Sequence, residues 1–141
     1  MRRSLTLIAV IAAFLTIISP SKANAQNKGY DGKFLPQTYV TDSEKPTLVM
    51  LTASWCPPCN TMKKQVMKEK DVEEALGKMN VVLLDVDTKE GKELAPGFTE
   101  VGFENAIPYF CILDKNGKVV KALTGGTSAE QFLKFLSSAF K

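Results

Sequence analysis

The chain has 141 residues, with 18 Lys and Arg against 15 Asp and Glu, and no histidine. That length allows one domain with one real core. The absence of histidine removes the commonest general base and the commonest metal ligand.

Arg2 and Arg3 open the chain, and an apolar run follows from Leu5 to Ile18. Ser19-Pro20 breaks it, and Ala23-Asn24-Ala25 has the small-x-small form of a cleavage site. This three-part pattern predicts a secretory signal peptide over residues 1–25. The run is shorter than the ~20 residues that span a bilayer, although an uncleaved anchor is the alternative. No cysteine stands just after the site, so the acceptor of a lipid anchor is missing there. Cleavage near Ala25 leaves 15 basic residues against 15 acidic ones. A neutral domain offers no electrostatic case for nucleic acid or an anionic membrane surface. We expect an exported, periplasmic-type monomer, with a lead-in over residues 26–45 and the folded domain over 46–141.

All three cysteines, Cys56, Cys59 and Cys111, lie beyond the leader. An exported protein meets an oxidising compartment, and an odd count leaves at least one thiol out of any intramolecular pairing.

The lead-in is polar and carries Gly29, Gly32 and Pro36, with a short strand expected at Thr38 to Thr41. Thr47 to Ala53 is a continuous apolar run with β-branched residues, which suits a buried central strand. Pro57 and Pro58 suit the opening of a helix, where a missing N–H costs little. Helical pattern runs on from Asn60 to Lys70. Cys59, Met62 and Val66 fall on one face of it, and the Lys63 to Lys70 cluster forms its wet side. A further helical piece is expected from Asp71, ending near Gly77.

Asn80 to Asp87 reads as a second buried strand, and Asp85 and Asp87 as solvated residues at its end. Glu90 to Leu94 reads as a helix that stops before Pro96-Gly97. Tyr109 to Leu113 is a third strand opened by Pro108. Asp114-Lys115-Asn116-Gly117 has hairpin-turn composition, and Lys118 to Leu123 returns as a fourth strand. Thr127-Ser128-Ala129-Glu130 reads as a capping box with Glu130 at the third helical position. Phe132, Phe135, Leu136 and Ala139 then line one face of a closing helix. The order β–α–β–α–β–β–α requires a parallel crossover and an antiparallel hairpin, hence a mixed sheet.

The chemistry concentrates at Trp55-Cys56-Pro57-Pro58-Cys59, where strand meets helix. The thiolate is the nucleophile, and a helix N-terminus lowers a thiol pKa from its usual ~8.5 with free N–H groups and the positive dipole end. Cys56, just outside the helix, is expected to be the exposed nucleophile. Cys59, about a turn inside, is expected to be more buried and to resolve the mixed disulfide. Neither proline can donate a hydrogen bond, so the Cys59 N–H and those just beyond it become the nearest donors to the Cys56 sulfur. Fewer donors predict a mild pKa depression and a reducing pair. A permanent structural disulfide and half of a zinc site are the competing readings, although structural zinc wants four ligands.

This chain resembles the thioredoxin superfamily. Ala53 to Cys59 matches the active-site segment, Ala106-Ile107-Pro108 the cis-proline loop, Lys115 to Val119 the turn between the last two strands, and Gly125-Gly126 the approach to the last helix. The resemblance implies the α/β thioredoxin fold, a mixed sheet of four to five strands flanked by helices. It implies Cys56 as nucleophile, Cys59 as resolving thiol, a cis Ile107-Pro108 bond, and Trp55, Ile107 and Pro108 as substrate-facing groups. No cofactor and no metal are called for.

Two departures stand out. Cytoplasmic thioredoxins carry a buried Asp six residues before the first cysteine, where this chain has Met50, and Pro57 stands where Gly is usual. Glu104 is the candidate proton acceptor in place of that Asp, with loop solvation as its alternative. With the leader, these features resemble exported members, which implies a reductant of protein disulfides supplied by a membrane electron donor. A redox-silent interaction domain, a disulfide-donating oxidase and a Cu(I) carrier remain open. Cys111, in an apolar strand, is expected to be buried and inert. Phe98 and Phe103 could form a binding rim or simply pack in the core.

Overall fold

A computed structural model describes residues 29–141; the predicted leader lies outside the described residues. Strands β1 (Thr47–Thr52), β2 (Asn80–Asp85), β3 (Tyr109–Leu113) and β4 (Val119–Thr124) form one mixed sheet in the order β2-β1-β3-β4. β1 runs parallel to β2 and antiparallel to β3, and β4 is antiparallel to β3. Helices α1 (Pro57–Lys64), α2 (Lys70–Leu76), α3 (Lys89–Leu94) and α4 (Ala129–Leu136) complete the thioredoxin fold.

The sheet divides the core in two, because successive strand residues point to opposite faces. Leu48 and Met50 of β1 and Phe110 and Ile112 of β3 pack with Met62 of α1 and Phe132, Phe135 and Leu136 of α4. Val49, Leu51, Cys111 and Leu113 face the other way, toward Phe34, Leu35 and Phe98. β1 is buried along its whole length, as its apolar run predicts for a strand with neighbours on both sides.

Several boundaries differ from the sequence expectation. No strand forms at Thr38 to Thr41. Instead, Gln37–Tyr39 makes a 3-10 turn, closed by Tyr39 N–H to the Pro36 carbonyl and Val40 N–H to the Gln37 carbonyl, each at 3.0 Å. Phe34, Leu35 and Val40 are buried, and Asn80 ties the end of this segment to the sheet. Its side-chain oxygen accepts from Asp42 N–H and the Thr41 hydroxyl, while its amide donates to the Asp42 and Lys45 carbonyls.

The helix expected from Asn60 to Lys70 breaks at Gln65 and continues as a 3-10 turn over Val66–Lys68. In an unbroken helix Met67 would lie roughly 140° from Met62; the change of winding lets both be buried. β2 is not fully buried either. It is an edge strand with alternating burial, and Val81 and Leu83 are exposed on one face. α3 ends at Leu94, before Pro96 as expected, but a 3-10 helix not expected from the sequence follows over Ala95–Val101, with Pro96 in its first turn, where proline is tolerated. The last helix is capped one residue later than expected. Ser128 is the N-cap and accepts from Gln131 N–H at 3.3 Å, while the Thr127 hydroxyl donates to the Gln131 side chain at 2.6 Å.

Candidate active site

β1 delivers the chain to the site, and a turn closed by Cys56 N–H to the Ala53 carbonyl at 3.3 Å reverses it into α1. Pro57 and Pro58 occupy the first helical positions. Cys56 is the N-cap, with extended backbone, and its sulfur accepts from Cys59 N–H at 3.3 Å. This is the donor that two successive prolines leave nearest. Cys56 and Cys59 are joined as a disulfide.

Burial corrects one expectation. Cys56 is not the exposed member of the pair: it is 2% exposed and Cys59 0%. The cause is the opposing loop. Ile107-Pro108 is a cis bond, and the Ile107 carbonyl oxygen lies 3.8 Å from the Cys56 sulfur. The Pro108 carbonyl in turn accepts from Gly125 N–H at 2.7 Å. Gly126 stands beside Pro58, so that a Cβ there would come 3.6 Å from the Pro58 Cβ. The proline loop, the Gly125-Gly126 turn and the start of α1 thus form one continuous surface around the sulfurs.

Trp55 is 66% exposed, a large apolar side chain in water next to the pair. Its indole N–H donates to the Asp87 carboxylate at 2.7 Å. Beside it opens a cleft of about 320 Å³, lined among others by Trp55, Val86, Lys92, Pro96, Phe103 and Ile107. Phe103 therefore serves both readings, since it is buried in the core yet reaches the cleft wall, whereas Phe98 is wholly core. Asn105, also on the wall, adopts a left-handed backbone with φ 59°, a conformation that Asn tolerates better than most residues.

Met50 is fully buried in the same cluster as Cys56 and Cys59, so no carboxylate occupies that position beneath the pair. Glu104 is exposed on the loop before Pro108. Cys111 lies on the opposite face of the sheet, fully buried, and burial pushes its thiol up to about 12. Asp87 was missed as a site residue by sequence reasoning. Its signal was weak: an acidic residue just after an apolar strand reads as solvated loop, and its link to Trp55 spans 32 positions.

Residues 35–140 match the Thioredoxin-like domain family. A thioredoxin of Mycobacterium tuberculosis is 37% identical over 120 residues, covering 85% of this chain and 94% of the relative. Among solved structures, a thioredoxin from Thermus thermophilus superposes with a TM-score of 0.58 at 28% identity, covering 66% of this chain and 72% of that one. The C-terminal domain of Neisseria meningitidis DsbD shares the fold at a TM-score of 0.54 and 20% identity, over 69% of this chain and 82% of that one. The chain belongs to the thioredoxin-like family and is a thiol:disulfide oxidoreductase with a disulfide-forming Cys56–Cys59 pair.

Proposed function

We propose that this protein is an exported reductase of protein disulfides. The observation that carries the reading is the Cys56 sulfur, capped by Cys59 N–H and facing the Ile107 carbonyl beside an open cleft under Trp55. A partner segment in extended form lies along Ile107-Pro108 and against Trp55. The Cys56 thiolate attacks one sulfur of the partner's disulfide, and the other leaves as a thiolate that takes up a proton. The Cys59 thiolate then attacks the Cys56 sulfur and releases the second partner thiol. Two electrons and two protons have passed to the partner, and the chain is left as the Cys56–Cys59 disulfide.

Export rests on Arg2, Arg3, the Leu5 to Ile18 run and the Ala23-Asn24-Ala25 site. In an oxidising compartment the disulfide must be reduced again from elsewhere, and a membrane electron donor supplies that need. Glu104, exposed at the mouth of the proline loop, would take part only as a solvent-side proton acceptor.

The test is covalent trapping. Cys59→Ala should accumulate mixed disulfides with partner proteins through Cys56, and Cys56→Ala should not. Equal trapping by both variants, or none by either, would refute the mechanism. The direction of electron flow is read from the reduction potential of the pair: near ~−270 mV for a reductase, near ~−120 mV for an oxidase.

A further inference from the structure

The cleft of about 320 Å³ shares two residues, Trp55 and Ile107, with the surroundings of the Cys56 sulfur. Most of its wall is apolar, with Val86 and Phe103 beside Ile107. Lys92 of α3 is the one charged residue on that wall. Lys92 is exposed, and it belongs to none of the ion pairs among the described residues, which engage Lys33, Lys45, Lys68 and Lys78.

The polar side chains of the wall offer donors. A lysine ammonium has three donors and no acceptor, and the Asn105 amide adds two more donors. None of the protein's own carboxylates stands on the wall. Glu90 and Glu93 share α3 with Lys92 but do not line the cleft, and Asp87 accepts the Trp55 indole N–H outside it. An apolar cleft beside a redox sulfur, with one cation that no carboxylate of the protein pairs, is complementary to an apolar segment that brings its own carboxylate.

We infer that Lys92 is a specificity-determining residue of the exchange reaction. The partner it selects carries an apolar side chain and, two to four residues from the attacked cysteine, an Asp or Glu. The apolar side chain leaves water against Val86, Phe103 and Ile107, and the carboxylate meets Lys92. An extended partner advances about 3.3 Å per residue, so two to four residues reach roughly 7–13 Å beyond that cysteine. Residues 26–141 carry 15 basic against 15 acidic residues, so the net charge of the domain draws no acidic partner. The preference is local and depends on where the carboxylate stands. The inference rests on the docking along Ile107-Pro108 and Trp55 proposed above, and not on the direction of electron flow. Reduction of a partner disulfide and oxidation of a partner dithiol pass through the same mixed disulfide.

The probes are short peptides closed by one disulfide, with Leu beside a cysteine. Glu, Gln or Lys stands at the second, third or fourth residue from that cysteine, on either side. Stoichiometric dithiol protein is mixed with the peptide disulfide, and disulfide protein with the peptide dithiol. In each direction two electrons and two protons pass between protein and peptide, and second-order rate constants are read by alkylation quench. The best Glu peptide should exchange about 3- to 5-fold faster than its Gln counterpart and about tenfold faster than its Lys counterpart at low ionic strength. High salt should bring these ratios toward one. Lys92→Gln should lower the Glu peptide to the rate of the Gln peptide, and Lys92→Glu should put the Lys peptide first. Equal rates for Glu and Gln at every position overturn the inference. So does a Glu advantage that persists when the residue is moved to the far end of the peptide, or an unchanged order in Lys92→Glu. These results leave the reductase reading standing. Exchange from the peptide dithiol alone overturns the reductase reading instead, and the same ratios in that direction decide the role of Lys92. Exchange with no peptide in either direction overturns both.

Discussion

The indole N–H of Trp55 donates to the Asp87 carboxylate at 2.7 Å, and so joins the residue before the redox pair to the loop that leaves β2. Trp55 is 66% exposed and would otherwise be free to swing. A fixed indole makes one wall of the cleft and spares a docking partner the cost of ordering it. Asp87→Ala should therefore slow partner reduction, lowering kcat/KM by about 3- to 10-fold. The potential of the pair should not move. Tryptophan fluorescence anisotropy, read on the single Trp of the chain, should fall in the same variant. Unchanged anisotropy would show that the hydrogen bond does not hold the ring.

Gly91 stands where α3 crosses the end of β2. A Cβ there would overlap the Asp85 carbonyl oxygen and crowd Val86, both backbone contacts that cannot swing aside. Gly91 N–H also satisfies the Thr88 cap at 3.0 Å. Gly91→Ala should cost ~3 kcal/mol or more, in the range of overpacking with backbone shift. Gly97→Ala is the control, since a Cβ there meets nothing within 4 Å, and it should stay within about 0.5 kcal/mol of the parent. Urea midpoints of the two variants decide the matter.

Asn80 is 4% exposed and joins the segment before β1 to the sheet. Its side chain serves Thr41, Asp42, Lys45 and Thr47 at 2.9–3.2 Å. Asn80→Ala leaves several of these mostly half-buried groups without their partner, at a cost of ~1–3 kcal/mol. Limited proteolysis should then cut within residues 29–45 faster than in the parent. A midpoint unchanged within error would mean that water replaces the amide.

Cys111 predicts a pH dependence. Burial raises its thiol from 9.0 to about 12 in the folded protein. Between those values the native state keeps the proton and the unfolded chain loses it, so the unfolded state binds fewer protons. Stability from this group is complete below about pH 9 and declines as pH rises toward about 12. The slope approaches ~1.4 kcal/mol per pH unit for one proton. Burial also raises the Tyr109 hydroxyl, with Cys111 adding to the shift. Cys111→Ala should be less stable at neutral pH through the lost packing, but should show a shallower alkaline decline. In the oxidised parent, Cys111 should resist alkylation at pH 8 until the protein unfolds. Parallel stability curves for variant and parent above pH 9 would contradict this account.

Much of the protein is decided locally and can be read along the chain. The apolar, β-branched run before two cysteines and two prolines determines a buried strand followed by a helix start. The prolines leave the Cys59 N–H and those just beyond as the nearest donors to Cys56, and the first of these is the one that bonds. The Asp114 to Gly117 turn and the apolar stripe of Phe132, Phe135 and Leu136 are equally local, so hairpin and closing helix form where expected. Long-range contact decided the rest. Val81 and Leu83 have the composition of a buried strand, but the sheet order places them at an edge. Cys56 has the local setting of an exposed cap, but the Ile107-Pro108 loop, about fifty positions away, closes over it. Asp87 gains its interest only from Trp55, which stands opposite it after folding. The redox pair follows from chemistry within a few bonds; its burial and its tethered tryptophan follow from packing between segments that spacing along the chain does not relate.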